Sequence, residues 1–200
     1  MNQLYTELVR DIRDAVRVRA ETVPKFSDEG NGAIRILAYP CCQEADDWLG
    51  GLSTFGRKDD IADYEHTFAI TPGGSRVVTG VWDGVKQKVD CYAYSALKIA
   101  HCSLAQDLGY TAVSGLDLRT KYLTEDNGYG PHPGALCFEI GKRTDDSSDP
   151  EPFCGIYVCV SGADSKDDLK CAIAAVHVIV EYFAREKQLY TVKIPNYSAV

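Results

Sequence analysis

The stretch ALCFEIGKRTDDSSDPEPFCGIYVCVSGADSKDDLK, residues 135–170, decides how the chain is read. Residues 135–141 and 153–160 are apolar, β-prone runs, and the KRTDDSSDPEP between them is rich in the Asp, Ser and Pro that favour turns. Two strands joined this way form an antiparallel hairpin. The second strand runs through Ser161-Gly162 into a helical period over 166–187, with Leu169, Ile173, Val176, Val180 and Phe183 as its stripe. Ser165 and Asp168 stand three apart, the spacing of a capping box with Asp in place of Glu. Val178 and Ile179 fall off the stripe, so this helix is apolar on more than one side and is expected to be central or packed on another subunit.

Upstream, the same signals recur. Residues 2–20 place Leu4, Leu8, Ile12, Val16 and Ala20 at i+4 spacing, an amphipathic helix, and residues 33–39 (AIRILAY) alternate as a half-buried strand that Pro40 stops. Residues 41–65 carry Gly50-Gly51, Gly56 and many acids and read as an irregular insertion with at most one helical turn. TFAIT (67–71), the turn Pro72-Gly73-Gly74-Ser75 and RVVTGVW (76–82) read as a second hairpin, with Asp83-Gly84 as a further turn. From about 90 to 108 the period is helical, with Ala93, Leu97, Ala100, Leu104 and Leu108 as its stripe and Gly109 as its stop. Residues 116–123 suggest a short helix, 127–134 are too rich in Gly and Pro for either element, and the tail YTVKIPNYSAV suggests an extra strand or an extended arm. Antiparallel strand pairs separated by helices imply an α+β sheet with helices packed on it.

Composition sets limits on function. Two hundred residues suit a single domain, and such a chain can bury about 70% of its surface without metals or disulfides. Hydrophobic residues at 45% and charged residues at 25% exclude collagen-like and disordered classes. A net charge of -8 argues against a nucleic-acid or anionic-membrane surface. The first twenty residues intersperse acids among arginines with no apolar core, unlike a signal peptide, and no run is long enough to span a bilayer. The expectation is a cytoplasmic protein without membrane or nucleic-acid partners. Its eight cysteines, with no C-x-x-C, are then expected as free thiols filling the core.

No phosphate-loop, dinucleotide, zincin or nucleophile-elbow motif is present, and no metal site is expected. His177 lies in AAVHVIV, where a core or interface imidazole is expected. Lys98 and His101 share one side of their helix: either a solvated polar face or a pair able to hold an anion. His132 sits between prolines in GPHPG, in an exposed loop or a pocket wall. Ser161-Gly162, at the start of the final helix, is either a simple cap or an anion site.

The run TFAITPGGSRVVTGVWDGVKQKVDCYAYSALKIAHCS, then PGALCFEIG and GIYVCVSGADSKDDLKCAIAAV, resembles the GlcG/HbpS-like, or haem-degrading domain, family over residues 67–183. Asp83-Gly84 takes the place of that family's D-G motif, Lys98 that of its helix lysine, and GIYVCVSGA (155–163) matches its last strand best. Val85 and Ile99 stand where the pattern has alanine. The resemblance implies a profilin-like antiparallel five-stranded sheet flanked by helices, assembled as a homo-oligomer, and a link to haem or related tetrapyrroles.

Two functions follow as expectations. One is a small-molecule-binding oligomer whose anionic organic acid or tetrapyrrole sits among Asp83, Gly84, Lys98, His101, Ser161 and Gly162. There Lys98 pairs with a ligand carboxylate, and His101 donates a hydrogen bond or ligates iron. The other is a lyase, isomerase or cyclase on the same scaffold, with Asp83, His101 or His132 as its acid–base group. A third reading makes the two-faced helix 166–187 an assembly surface without a ligand.

Overall fold

The computed structural model describes residues 3–50, 65–82, 85–107, 134–144, 149–185 and 189–195. In chain order the elements are α1 (Gln3–Ala20), α2 (Pro24–Glu29), β1 (Ala33–Pro40), α3 (Gln43–Leu49), β2 (Glu65–Ala69), β3 (Val77–Trp82), β4 (Val85–Asp90), α4 (Cys91–Asp107), β5 (Ala135–Lys142), β6 (Glu151–Ser161), α5 (Ser165–Ala184) and β7 (Tyr190–Lys193). Five strands form one antiparallel sheet in the order β2-β1-β6-β5-β7, and β3 pairs with β4 in a separate two-stranded ribbon. The expected α+β class with a five-stranded antiparallel sheet and flanking helices is the observed architecture.

β6 is the central strand, and every residue from Phe153 to Ser161 is buried. It therefore reads as a continuous apolar run, because helices cover both faces of the sheet. On one face Ile34, Ile36, Phe138, Ile156 and Val158 meet Leu8, Ile12 and Val16 of α1 and Leu169, Val176 and Ile179 of α5. On the other, Leu37, Ala135, Cys137, Tyr157 and Cys159 pack with Ile99 of α4. A small cluster of Ala33, Val78 and Cys91 fastens the ribbon to the end of the sheet. The β5–β6 hairpin and the amphipathic α1 form as expected, and of the strand or extended arm expected for the tail it is the strand, β7, that forms. Among the described residues, no helix is long and apolar enough to cross a membrane.

Several expectations are corrected. The hairpin expected over 67–82 does not form: β2 pairs with β1, with Ile36 opposite His66, while β3 pairs with β4 from Val77↔Asp90 to Trp82↔Val85. The Pro72–Ser75 turn is instead docked onto the α2–β1 connection. Thr71 Oγ1 donates to the Gly30 carbonyl, Gly32 N–H donates to Ser75 O at 2.9 Å, and Ser75 N–H donates to Asn31 Oδ1 at 3.0 Å. A Cβ on Gly74 would lie 2.0 Å from Gly30 O, so the close approach itself requires glycine. The insertion at 41–65 contains a helix, α3, whose Ala45 and Leu49 are buried, while residues 51–64 lie outside the described residues. The expected short helix at 116–123 lies outside them as well.

The stripe assigned to α4 faces the wrong way. Cys91, Ser95, Lys98 and Ile99 are buried, whereas Ala93, Ala100 and Leu97, the last 47% exposed, face outward. The helix turns polar side chains inward because the sheet below presents Arg35 and the start of α5 presents Asp168, both of which need partners there. On α5 the buried face is rotated toward Ala172, Ala175 and Ile179, leaving Ile173 and Val180 half-buried and His177 exposed, so that of the core or interface placement expected for His177 the core one is removed. Its N-cap is Asp164, which makes no side-chain capping bond, and the expected capping box gives way to a different use of Asp168.

Candidate functional site

Under α4 lies a layer of buried polar groups that includes Ser95, Lys98, Ser161 and Asp168. Lys98 extends from α4 toward the end of β6, where its Nζ donates to Asp168 Oδ2 at 2.7 Å and to the Val160 carbonyl at 3.0 Å. The two side chains are 2% and 3% exposed, so this is an ion pair removed from water. Asp168 reaches it from the first turn of α5, and its other oxygen accepts the Ala163 N–H at 2.9 Å. The chain's own carboxylate therefore occupies the place at the helix start where the sequence suggested an anion site at Ser161-Gly162. Ser161 is buried and Gly162 holds φ +145 against Gly32 and Asn31.

The surroundings are built to fit. Gly134, at φ +109, accepts the Val160 N–H at 2.8 Å, and a Cβ there would lie 2.9 Å from Lys98 Nζ and 2.8 Å from Val160 O. The Tyr94 ring stands 5.4 Å from the ammonium, a cation–π separation. Alongside, Arg35 of β1 donates to Ser95 Oγ at 3.0 Å and to the Tyr92 carbonyl at 2.8 Å, and pairs with Glu65 of β2. The polar layer thus runs from the outer strand to the start of α5.

Electrostatics fix the protonation states. Burial pushes the Asp168 carboxyl up, against the pull of Lys98 and of the backbone N–H groups of Ala163 and Gly162. Burial pulls Lys98 down, but the Asp168 carboxylate beside it outweighs that and leaves its pKa raised. The proton stays on the lysine, which is a cation and not a nucleophile. Burial also pushes the neighbouring Cys159 thiol up to about 12 and the Cys91 thiol up to about 11, so neither supplies a thiolate near neutrality. An ammonium carries three N–H donors. Lys98 makes two hydrogen bonds among the described residues.

Of the residues singled out from sequence, Lys98, Ser161 and Gly162 converge on one site. Asp83, Gly84 and His132 lie outside the described residues, and His101 falls on α4 one turn beyond Lys98 with its side chain outside them. Four members of the layer, Asp168, Arg35, Ser95 and Glu65, are not among the site residues singled out from sequence. Asp168 reads from sequence as part of a helix cap, and no local signal separates it from its partly buried neighbour Asp167. Arg35 announced itself as a cation inside an otherwise apolar strand. Among the described residues, no cluster of three His, Cys, Asp or Glu side chains could hold a metal, and all seven described cysteines are free thiols. No family model, no curated protein and no solved structure matches the chain.

Proposed function

We propose that this chain is a small-molecule-binding protein of the GlcG/HbpS-like type, cytoplasmic and homo-oligomeric, whose ligand is an anionic organic acid or a tetrapyrrole read through its carboxylate by Lys98. The observation that carries the reading is the buried ammonium of Lys98, with two of its three donors spent on Asp168 and Val160. A buried ion pair is weak support for stability, because desolvation cancels much of the Coulombic gain, and charges held this way cluster at functional sites. In the free protein Asp168 holds the place that a ligand carboxylate competes for. The enzymatic alternative rests on Asp83, His101 and His132 as acid–base groups.

Titration of the full chain with haemin, followed in the Soret band, and with small hydroxy and dicarboxylic acids by calorimetry tests this reading. Light scattering of the free and loaded protein reports the assembly. Lys98→Met is expected to weaken binding at least tenfold, and Asp168→Asn, which frees the ammonium, to strengthen it. Unchanged affinity in both folded variants, or no binding by the wild-type chain, refutes the site.

A further inference from the structure

On the opposite face of the sheet, β2 is an outer strand paired on one side, to β1, and α1 lies against it. Three α1 side chains make the seam: the Tyr5 ring lies 5.6 Å from the His66 ring, the Arg13 guanidinium 5.4 Å from the Phe68 ring, and Arg17 Nη2 donates to Ala69 O at 3.0 Å. His66 lies within this seam, stacked parallel on Phe68 at 6.2 Å and opposite Ile36 of β1. Its Nε2 is buried and, among the described residues, has no hydrogen-bond partner.

We propose that His66 is an acid-sensitive latch: neutral, it packs into the aromatic seam, and protonated, it releases β2 from α1. A second proton would place a cation on a ring whose Nε2–H has no acceptor, and an unsatisfied buried donor is among the costlier defects a fold can carry. The charges around it do not compensate. From α1 the charges at the seam are the cations Arg13 and Arg17 and the anion Asp14, which is engaged by Arg13, and among the described residues Arg17 Nε is buried without a hydrogen-bond partner. On β2 the Glu65 carboxylate favours protonation, but it is engaged by Arg35 and Thr67. From α3, Trp48 meets Tyr5 at the seam and otherwise lies against Phe153, Tyr182 and Phe183, and Asp46 and Asp47 accept from the Gln43 amide. From β1 the facing residue is the uncharged Ile36.

The sign follows directly. Burial lowers the His66 pKa below its ordinary 6.5. The native state then binds fewer protons than the open one, so its stability is full above the ordinary value and is lost as pH falls through the lowered one. Because β2 is a short, half-buried outer strand, the cost is relieved by local opening and not by unfolding β6.

Hydrogen exchange of residues 65–70 in the full chain, corrected for intrinsic rates, together with the imidazole NMR titration of His66, tests the latch. His66 is expected to titrate below 6.5. Exchange in 65–70 is expected to rise about tenfold, for each unit by which that pKa is lowered, between pH 7.5 and 5, while β6 stays protected. In His66→Phe the acid-induced rise should fall below about twofold, and His66→Gln, which also cannot titrate, should behave alike. A wild-type imidazole that titrates at or above 6.5, or an equal rise in either folded variant, overturns the proposal.

Discussion

Lys98→Met is the most informative single change, because it deletes the ammonium and keeps most of the stem. Asp168 keeps the Ala163 N–H on one oxygen, but the other, now 2.7 Å from the ammonium, faces an apolar side chain, and Val160 O loses a donor. Breaking a buried ion pair by removing one partner costs about 3–5 kcal/mol. Asp168→Asn is near-isosteric and retains an oxygen for Ala163, so its cost should sit at the lower end, about 3 kcal/mol. The double variant leaves no uncompensated charge, and its cost should fall short of the sum by about 2–3 kcal/mol. With a urea slope of about 2 kcal/mol per molar, Lys98→Met should lower the midpoint by about 1.5–2.5 M at pH 7. A drop below about 0.5 M is what an exposed pair would give, and that result, or strict additivity in the cycle, would refute a buried, coupled pair.

The same corner should be intolerant of a single methyl group. Gly134→Ala puts a side chain into positive φ and into contact with Lys98 Nζ and Val160 O, and should cost about 2–3 kcal/mol in the same urea assay; a neutral effect would mean that the backbone can shift away. Thiol labelling followed by mass spectrometry provides an independent check on burial. At pH 8 in the native protein, Cys159 and Cys171, both pushed up to about 12 by burial, should resist iodoacetamide while the half-buried Cys42 reacts. Labelling of Cys159 at the rate of Cys42 would contradict the packing of β6 against α4.

Local signals were enough to find most elements, because hydrophobic period and turn residues act over a few positions. The β5–β6 hairpin and the face of α1 were legible for this reason. Pairing partners were not, since Pro72-Gly73-Gly74 is compatible with a hairpin reversal and also with a turn docked on Gly30, and only tertiary contact chooses. α4 was misread for a related reason: a stripe of Ala93, Leu97 and Ala100 outweighs Ser95 and Lys98 on any apolarity count. Burial of Lys98 depends on an Asp from another helix, seventy positions on. Lys98 and Ser161-Gly162 were picked out as a site by chemical type, whereas the carboxylate that joins them was hidden in what looked like a helix cap.

The strand order has a consequence for how the protein is made. β1 takes β6 as its inner neighbour, with Ala33 opposite Ser161, and α1 rests on the same core as α5. Elements from opposite ends of the described chain thus complete each other. At about 5–20 residues added per second, a nascent β1 waits on the order of ten seconds for β6 to leave the ribosome, with α1's apolar face uncovered meanwhile. Fragments that stop short of β6 have no central strand to organise them and should be chaperone clients or proteolysis substrates. The topology ties completion of the sheet to the emergence of β6.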